Sequence, residues 1–359
     1  MNNIHCDQKL QPWAKNPKDI GIGIEQEHFI FKGSEAPCLE DIKTVFAELC
    51  DGEYHVRASD SDNRPLAVNH DMAGGYIAIK NDFCTHILEV SLPPLKSVVT
   101  LSNIYNDTWG MLDAVLKKHG IHRKLGGSLS SLPENWETVP SKRLEWFKSR
   151  STSKPTPEYW HRDFGAFICS TQIHLNVLDE NFYEFLPKLY SFEYLTPLLF
   201  SNSHEFNAKN AHCVRPLVYR DNYPSSYIAN AYPKKIPSCK KQYEQMISST
   251  KDFIRDYTFI APRRFGSIEF RAACSQDDFS QIMELAALKV AGFVAASASE
   301  HTHRTQMEQF YDVCRSGEVD QAILLNDFAE LVLVAEKLPV CFRDAFEKLS
   351  GRVGGRLGR

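Results

Sequence analysis

The segment from Phe167 to Val177 reads Phe-Ile-Cys-Ser-Thr-Gln-Ile-His-Leu-Asn-Val, and from Ser170 onward every even-numbered residue is polar. Side chains of a β-strand point alternately to the two faces of the sheet. The odd-numbered residues are therefore predicted to enter a core. On the other face the segment presents a polar row, made of Ser170, Gln172, His174 and Asn176.

Three more predicted strands place charged side chains on one face in the same way: Gly21–Phe31, Cys84–Leu92 and Gly266–Ala273. The charged residues are Glu25, Glu27, Glu89, Glu269 and Arg271. A solvent-facing strand alternates similarly, and that reading explains any one of these strands. Four together favour a shared site, because gathered carboxylates repel one another and need a counter-charge.

Magnesium is a suitable counter-charge, since it takes oxygen ligands and is commonly shared between carboxylates and nucleotide phosphates. Arg271 can hold a phosphate through its planar guanidinium, and His174 can ligate a metal or contact a phosphate. This set of residues indicates phosphoryl transfer, where catalysis is mainly positioning and charge neutralisation. The sequence has no Walker loop and no dinucleotide-binding Gly-x-Gly-x-x-Gly before a helix.

Composition and charge indicate a soluble globular protein that does not bind nucleic acid or an anionic membrane. The 359 residues are 43% hydrophobic and 24% charged, with a formal net charge of −4 and dispersed Lys and Arg. The ten cysteines form no Cys-x-x-Cys pair, so we read them as buried thiols in a reducing compartment. The polar N-terminus lacks the apolar core of a secretory signal, and we expect a cytoplasmic protein.

The order of predicted elements is a sheet followed by helices, an α+β arrangement. The predicted helices are Leu39–Cys50, Ser97–His119, Asn181–Ser203, Lys240–Asp256, Phe279–Ala298, His301–Ser316, Val319–Glu336 and Pro339–Leu349. Long loops are predicted for Gly126–Pro157 and Ser203–Pro237. We expect an N-terminal extension (1–19), a catalytic domain (20–300), a helical C-terminal portion of that domain (301–350) and a basic, glycine-rich tail (351–359).

Five motifs occur in a fixed order, and each lies in one of the segments above or just after it. They are Gly23-Ile24-Glu25-Gln26-Glu27, Thr85–Val90, Ser170–Val177, Leu195–Asn202 followed by Arg215, and Gly266–Arg271. Together they resemble the carboxylate–amine ligase branch of the glutamate–cysteine ligase superfamily, over roughly Ile20 to Ala298. The resemblance implies a glutamine-synthetase-like curved antiparallel sheet, flanked by helices, that forms a metal and ATP site.

The resemblance also implies roles for individual residues. The implied magnesium ligands are Glu25, Glu27, Glu89, His174 and Glu269. The implied nucleotide or phosphate contacts are His174, Gln172, Arg215 and Arg271, with Arg271, Arg215 and Glu269 acting in catalysis. The cofactors would be ATP and two or more Mg²⁺ ions, with Mn²⁺ as an alternative metal. A glutamate-like carboxylate would be phosphorylated and then joined to cysteine or another amine, in a monomer or a homo-oligomer.

The sequence departs from the family pattern at two places. Gln172 stands where relatives often carry a second histidine, and residues 203–207 replace a turn rich in proline and aromatic residues. Two other functions stay open. One is a small-molecule kinase on a related sheet, which would release a phosphorylated product instead of an amide. The other is a non-catalytic nucleotide-binding protein.

Overall fold

The computed structural model describes residues 19–59, 63–139, 157–177, 182–222, 230–248, 257–263, 266–276, 278–298 and 307–356. The predicted N-terminal extension thus lies almost wholly outside the described residues, as do 140–156 of the first predicted loop and 223–229 of the second. Within the described residues the chain combines a large antiparallel sheet with helices, which confirms the predicted α+β class.

Nine strands form the main sheet. They are β1 (Ile22–Lys32), β2 (His55–Ser59), β3 (Pro65–Met72), β4 (Gly75–Asn81), β5 (Ile87–Leu95), β6 (Ile121–Lys124), β7 (Thr171–Leu175), β12 (Ile260–Arg263) and β13 (Ser267–Phe270). Their order is β12-β13-β7-β1-β5-β4-β3-β2, with β6 also paired to β1, and every pair is antiparallel. Two small pairs lie apart, β8 (Glu205–Phe206) with β9 (Lys209–Asn210) and β10 (Asn230–Ala231) with β11 (Tyr257–Thr258).

Ten α-helices lie within the described residues. They are α1 (Leu39–Cys50), α2 (Val98–Lys118), α3 (Phe182–Ser191), α4 (Leu195–Leu199), α5 (Val214–Asn222), α6 (Lys240–Ser248), α7 (Phe279–Ala298), α8 (Met307–Ser316), α9 (Gln321–Ala335) and α10 (Val340–Arg356). Helix α2 begins where the Ser97 hydroxyl accepts a hydrogen bond from the main-chain N–H of Thr100, which satisfies one of the first-turn donors.

The helices α2 and α7 cover the face of the sheet opposite to the acidic residues. Trp109 of α2 donates an indole hydrogen bond of 2.9 Å to the side chain of Gln26, which points away from Glu25 and Glu27. Helix α7 contacts β7, and its residues are mostly buried. Within the part of the chain that the structure describes, α7 is the one helix long and apolar enough to cross a membrane. Its burial is typical of a core helix.

Strand β5 continues through Pro93 and Pro94, whereas the sequence predicts that these prolines end it. The pairing with β1 shifts register between Ile22 and Ile24, so that one additional residue of β5 is accommodated at the prolines. Proline has no N–H for a strand ladder, and a bulge is where a strand tolerates its absence. Strands β3, β6 and β12 of the main sheet were not predicted from the sequence.

Three predictions, of a helix, a loop and the tail, needed correction. The helix predicted for Asn181–Ser203 is two helices, α3 and α4, separated by a turn. The loop predicted for Ser203–Pro237 contains α5 and the β8–β9 pair in its described part. Residues 351–356 of the predicted tail belong to α10, where Val353 is buried in the common core. Helix α5 begins at Val214, which is fully buried. Packing in the core therefore stabilises a helix in a segment whose composition predicts a loop.

Acid should destabilise the protein through His86, a fully buried histidine. Its Nε2 donates a hydrogen bond of 2.8 Å to the carbonyl of Ala166, and burial lowers its pKa to about 4. An unfolded histidine takes up a proton near pH 6.5, while the folded one stays neutral. The free energy of unfolding should therefore fall as the pH falls from about 6.5 towards 4, by about 1.4 kcal/mol per pH unit.

Urea unfolding at pH 7 and pH 5 tests this expectation. In the variant H86Q the loss of stability between the two pH values should be about 2 kcal/mol smaller than in the wild type, because glutamine does not titrate. An identical pH dependence in both proteins would show that His86 is protonated equally easily in the folded state.

Candidate active site

The centre of the candidate site is the middle of β1, where Glu25 and Glu27 leave the same face. Glu27 lies opposite Glu89 of β5, and Glu25 lies opposite Gln172 of β7. On the far side of β7, Glu269 of β13 lies opposite His174. Residues opposite each other in neighbouring strands share a face. The structure therefore brings the residues predicted from strand parity together on one face of one sheet.

The first acidic group consists of Glu25, His174 and Glu269, whose ligand atoms all lie within 4.8 Å of one another. Nε2 of His174 is 3.3 Å from Oε1 of Glu25, and Nδ1 is 3.3 Å from the hydroxyl of Ser267. Burial lowers the pKa of His174, but the Glu25 carboxylate outweighs burial and leaves it raised. Burial likewise favours a raised pKa for Glu25, and His174 outweighs it, so that the pKa of Glu25 is lowered.

The second group consists of Glu27, Asp82 and Glu89, with ligand atoms again within 4.8 Å of one another. Burial, together with the charges of Asp82 and Glu89, raises the pKa of Glu27 to about 8. The pKa of Glu89 is also raised, first by burial and then by the neighbouring carboxylates, against the opposing charge of Lys80. Three mutually repelling carboxylates in one buried place are what a bound divalent cation would stabilise.

Glu27 is also held from the side by Ser170. The main-chain N–H and the hydroxyl of Ser170 donate hydrogen bonds of 2.8 and 2.9 Å to Oε2 of Glu27. These bonds orient one carboxylate oxygen. Ser170 comes from the polar row that the sequence predicts next to β7, so the row supports the acidic group as well as contributing His174.

Asp82 was missed by the sequence analysis, because it lies in the β4–β5 turn and not in a strand. The side-chain amide of Asn81 shapes this turn by donating hydrogen bonds to the carbonyls of Thr85 (2.8 Å) and Ile87 (2.9 Å), and Phe83 has a positive φ of 66°. The available signal was spacing: Asp82 is two residues after Lys80, at a strand end that leads directly to the strand of Glu89.

Two arginines bracket Glu269. Nη1 of Arg271 lies 2.5 Å from Oε1 of Glu269, and Arg263 donates to Oε2 of the same carboxylate. Burial favours a raised pKa for Glu269, but the charges of Arg271 and Arg263 outweigh burial, and the pKa is lowered. The side chain of Arg263 is largely buried against Glu269.

Arg215 lies beneath the site. Its guanidinium is fully buried, donates to the main-chain carbonyl of Arg271 and stacks over the ring of Tyr219 at 4.8 Å. In this arrangement Arg215 supports the strand end that carries Arg271. The direct contact with a nucleotide or acyl phosphate that the resemblance implies for Arg215 stays a prediction.

One buried acceptor at the site, Oε1 of Gln172, has no hydrogen-bond partner among the described residues. On the same face, Nε2 of His174 lies 3.3 Å from Oε1 of Glu25. Nε2 of His174 faces the first group, where it is one of the ligand atoms within 4.8 Å. An imidazole nitrogen beside two carboxylates is a donor set that a divalent cation accepts. The residues present therefore fit the metal that the sequence predicts, although their roles as ligands stay predictions.

Beside Arg215 lies a group of buried thiols that the sequence analysis read only as small hydrophobic residues. The sulfur atoms of Cys213 and Cys274 are 3.3 Å apart, and the hydroxyl of Ser203 is 2.9 Å from Cys274. Burial favours a raised pKa for Cys274, but hydrogen bonds with Cys213 and Ser203 outweigh it and lower this pKa to about 6. These contacts join the start of α5 to the segment after β13, and so help to stabilise the residues beneath the site.

Comparison with known proteins supports the fold through structure alone. No protein-family model matches the sequence, and no curated protein matches it. The glutamate–cysteine ligase of Francisella tularensis, solved in complex with AMP, superposes with a TM-score of 0.62 at 14% identity, over 93% of this chain and 82% of that one. The chain has the fold of the carboxylate–amine ligases.

A second structure with this carboxylate–amine ligase fold is the complex of the ubiquitin-like protein Pup with its ligase PafA. It matches with a TM-score of 0.50 at 8% identity, over 94% of this chain and 63% of that chain. The family resemblance stated from the five motifs is thereby confirmed at the level of the fold. At these identities the likeness carries no information about the substrates of this chain.

Replacing Asp82 with asparagine tests the second acidic group. D82N keeps the shape of the side chain but removes one of the three carboxylates that a divalent cation would bind, so the Mg²⁺ concentration for half-maximal ADP release should rise by about tenfold or more. The matched control is D71N, which neutralises an exposed aspartate of β3. A Mg²⁺ dependence of D82N equal to that of D71N and the wild type would exclude Asp82 from the metal site.

Proposed function

We propose that this chain is an ATP- and Mg²⁺-dependent carboxylate–amine ligase that forms a γ-glutamyl amide from glutamate and cysteine or another amine. The observation that carries the proposal is the pair of acidic groups, Glu25/His174/Glu269 and Glu27/Asp82/Glu89, side by side on one sheet face. Two cation sites next to an arginine are the arrangement that phosphoryl transfer from a nucleotide needs. The fold is consistent with this reaction.

In the proposed reaction a carboxylate oxygen of the acid attacks the γ-phosphorus of ATP, and the bond to ADP breaks. The resulting acyl phosphate is attacked at its carbon by the amine, phosphate leaves, and the amine loses a proton. Bound Mg²⁺ would neutralise the phosphate oxygens and make the γ-phosphorus more electrophilic. In this proposal the guanidinium of Arg271 stabilises charge on the transferred phosphoryl group. The proposal is supported by the contact of that guanidinium with Glu269 and by the hydrogen bond of Arg215 to the main-chain carbonyl of Arg271.

The side chains of this chain contribute positioning more than proton transfer. Ser170 orients Glu27, Ser267 contacts His174, and Arg263 fixes Glu269 from the side opposite to Arg271. Groups that are already oriented need no reorganisation when charge develops in the transition state, which is the largest source of catalysis in sites of this kind. Gln172 presents its unpaired carbonyl oxygen to the same face and is proposed to contact the nucleotide.

The experiment that tests the proposal is incubation of the protein with ATP, Mg²⁺ and a panel of amino acids and amines, followed by mass spectrometry. A ligase yields ADP, phosphate and an amide in equal amounts. A phosphorylated small molecule without amide would establish the kinase alternative. Binding of ATP without any product would establish a non-catalytic nucleotide-binding protein. A parallel reaction with the metal removed by chelation should give no product.

A further inference from the structure

Helix α9 has apolar side chains on the face that it turns to solvent. Leu333 is 72% exposed, Val332 41% and Leu325 38%. Residues spaced by three, four or seven positions lie on one side of a helix, and the exposed residues that share this spacing form the α9 outer face: Ala322, Leu325, Asn326, Ala329, Val332 and Leu333. All of them except Asn326 are apolar. The outward side of a surface helix is ordinarily polar, so this face has the wrong chemistry for permanent contact with water.

The charged residues of α9 point away from the outer face. Residues 321–335 include two acids, Asp327 and Glu330, and neither Lys nor Arg. Nζ of Lys188 donates a hydrogen bond of 2.6 Å to Glu330. Asp327 is partly buried, and burial together with its charge raises the pKa of the Tyr194 phenol. The charges of α9 are therefore directed towards the protein, while its apolar residues face solvent.

This chemistry indicates a protein partner and not a membrane. A helix that lies on a membrane surface carries Lys and Arg on its polar face, and α9 has neither. A continuous exposed apolar surface on a soluble domain marks a protein contact. Val340 at the start of α10, which is 59% exposed, extends this surface beyond the end of α9.

The two ends of α9 differ in charge, which favours an antiparallel helix as the partner. The exposed acids Glu318 and Asp320 precede the helix, and the exposed Lys337 follows it. An antiparallel α9 from a second copy of the chain brings each Lys337 to the acidic end of the other helix. Each Glu336 then lies at the amino end of the other helix, where the helix dipole stabilises a carboxylate. The surface is thus complementary to itself, as a twofold interface requires.

The positions of small and large residues give such a pair a register. Ala322 and Ala329 lie along the middle of the outer face, and Leu325 and Val332 lie on one side of them. With a twofold axis at Ala329, this residue faces its own copy, and Leu325 faces Val332 of the second copy. Alanine at the crossing point allows two helices to approach closely, and the larger side chains fill the space beside it.

We infer that the α9 outer face is the contact surface of a homodimer, in which the α9 helices of two copies pack antiparallel with Ala329 at the twofold axis. Helix α9 contacts α7, which covers the side of the main sheet opposite to the acidic residues. Dimerisation through α9 therefore leaves both acidic faces accessible. The inference does not rest on the proposed ligase reaction.

Sedimentation velocity of the full chain, over about 1 to 100 µM, tests the inference. The wild type should sediment with a mass twice that of one chain at the upper concentrations. A329E should raise the dimer dissociation constant by about 100-fold or more, because two carboxylates meet at the axis and lose their water. The matched control is A47E, at an exposed alanine of α1, which packs on β3. Its dissociation constant should stay within about twofold of the wild-type value.

A second variant tests the register and does not depend on disrupting the dimer. In A329C the two new thiols lie on either side of the axis, so a short bis-maleimide should join two chains by adding one thiol at each end. A denaturing gel should show at least about tenfold more covalent dimer than for A47C or the wild type, in which any product comes from the natural cysteines. Circular dichroism of every variant should match the wild type, because alanine and glutamate are both strong helix formers and both sites are exposed.

Three results would overturn the inference. The first is a wild type that stays monomeric over the whole concentration range. The second is a dimer that A329E leaves intact, or that A47E weakens equally. The third is cross-linking of A329C no greater than that of A47C, which would place the contact elsewhere on the molecule. The amide assay of the proposed function is read independently of all three.

Discussion

Replacing Glu269 with glutamine should reduce Mg²⁺-dependent release of ADP by at least about 100-fold. Glu269 is a candidate ligand of the first group and also the shared partner of Arg263 and Arg271. Glutamine removes the charge that attracts the metal. It also removes the charge that holds the guanidiniums of Arg263 and Arg271 in their positions. ADP release is measured with a coupled assay over a range of Mg²⁺ concentrations.

The structure adds a second consequence of E269Q that strand parity alone does not predict. Because Glu269 is buried between two arginines, neutralising it leaves buried positive charge without its partner, and stability should fall by about 3–5 kcal/mol. Activity must therefore be measured at a temperature where circular dichroism shows the variant to be folded. Undiminished turnover by folded E269Q would remove Glu269 from the metal site.

A matched control for this loss of stability exists elsewhere in the chain. Glu193 is buried and accepts two hydrogen bonds of 2.8 Å from Nζ of Lys289, away from the acidic face. E193Q should lower stability in a similar way, since it also breaks a buried ion pair. Its turnover at a permissive temperature should stay within about threefold of the wild type, as expected for a residue outside the site.

Replacing Arg271 with alanine should raise the barrier of the chemical step by about 2–4 kcal/mol, which is about 30-fold to 1000-fold in kcat. The guanidinium of Arg271 lies 2.5 Å from the Glu269 carboxylate, and Arg215 donates a hydrogen bond to the main-chain carbonyl of Arg271. The guanidinium is therefore oriented before the substrate arrives. Single-turnover measurement of phosphoryl transfer isolates the step from product release.

The variant R271K distinguishes the planar guanidinium from its charge. Lysine keeps the positive charge but offers a single point of contact, so R271K should recover only part of the lost rate. If R271A changed Michaelis constants while kcat stayed at the wild-type value, Arg271 would be a binding residue without a role in the transition state.

The strand alternation around β1 and β7 was enough to predict which side chains share a face. Glu25 and Glu27, like Gln172 and His174, are two residues apart in a strand, and that spacing alone sets their common side. The long helices α2 and α7 were likewise predicted close to their observed bounds. Local periodicity carries this information without any knowledge of neighbours.

Other features could not be read locally. Asp82 reaches the site through the shape of a turn, and α5 forms inside a segment of loop-like composition because the core buries its first residues. The expected contact of Arg215 with a phosphate stays a prediction, but its hydrogen bond to the main-chain carbonyl of Arg271 could not be read from the sequence. For α5 and Arg215 the deciding contacts join residues that are distant in the chain.

The amino-acid sequence by itself determined the identity of the charged residues and the face of the strand on which each one stands, because side-chain direction in a strand depends only on parity. The tertiary structure alone decided that these strands are neighbours, in a register that sets Glu27 against Glu89 and His174 against Glu269. It also decided that Lys80 of β4 lies opposite Glu89. Pairing of strands separated by tens of residues depends on packing of the whole sheet, and no local pattern encodes it.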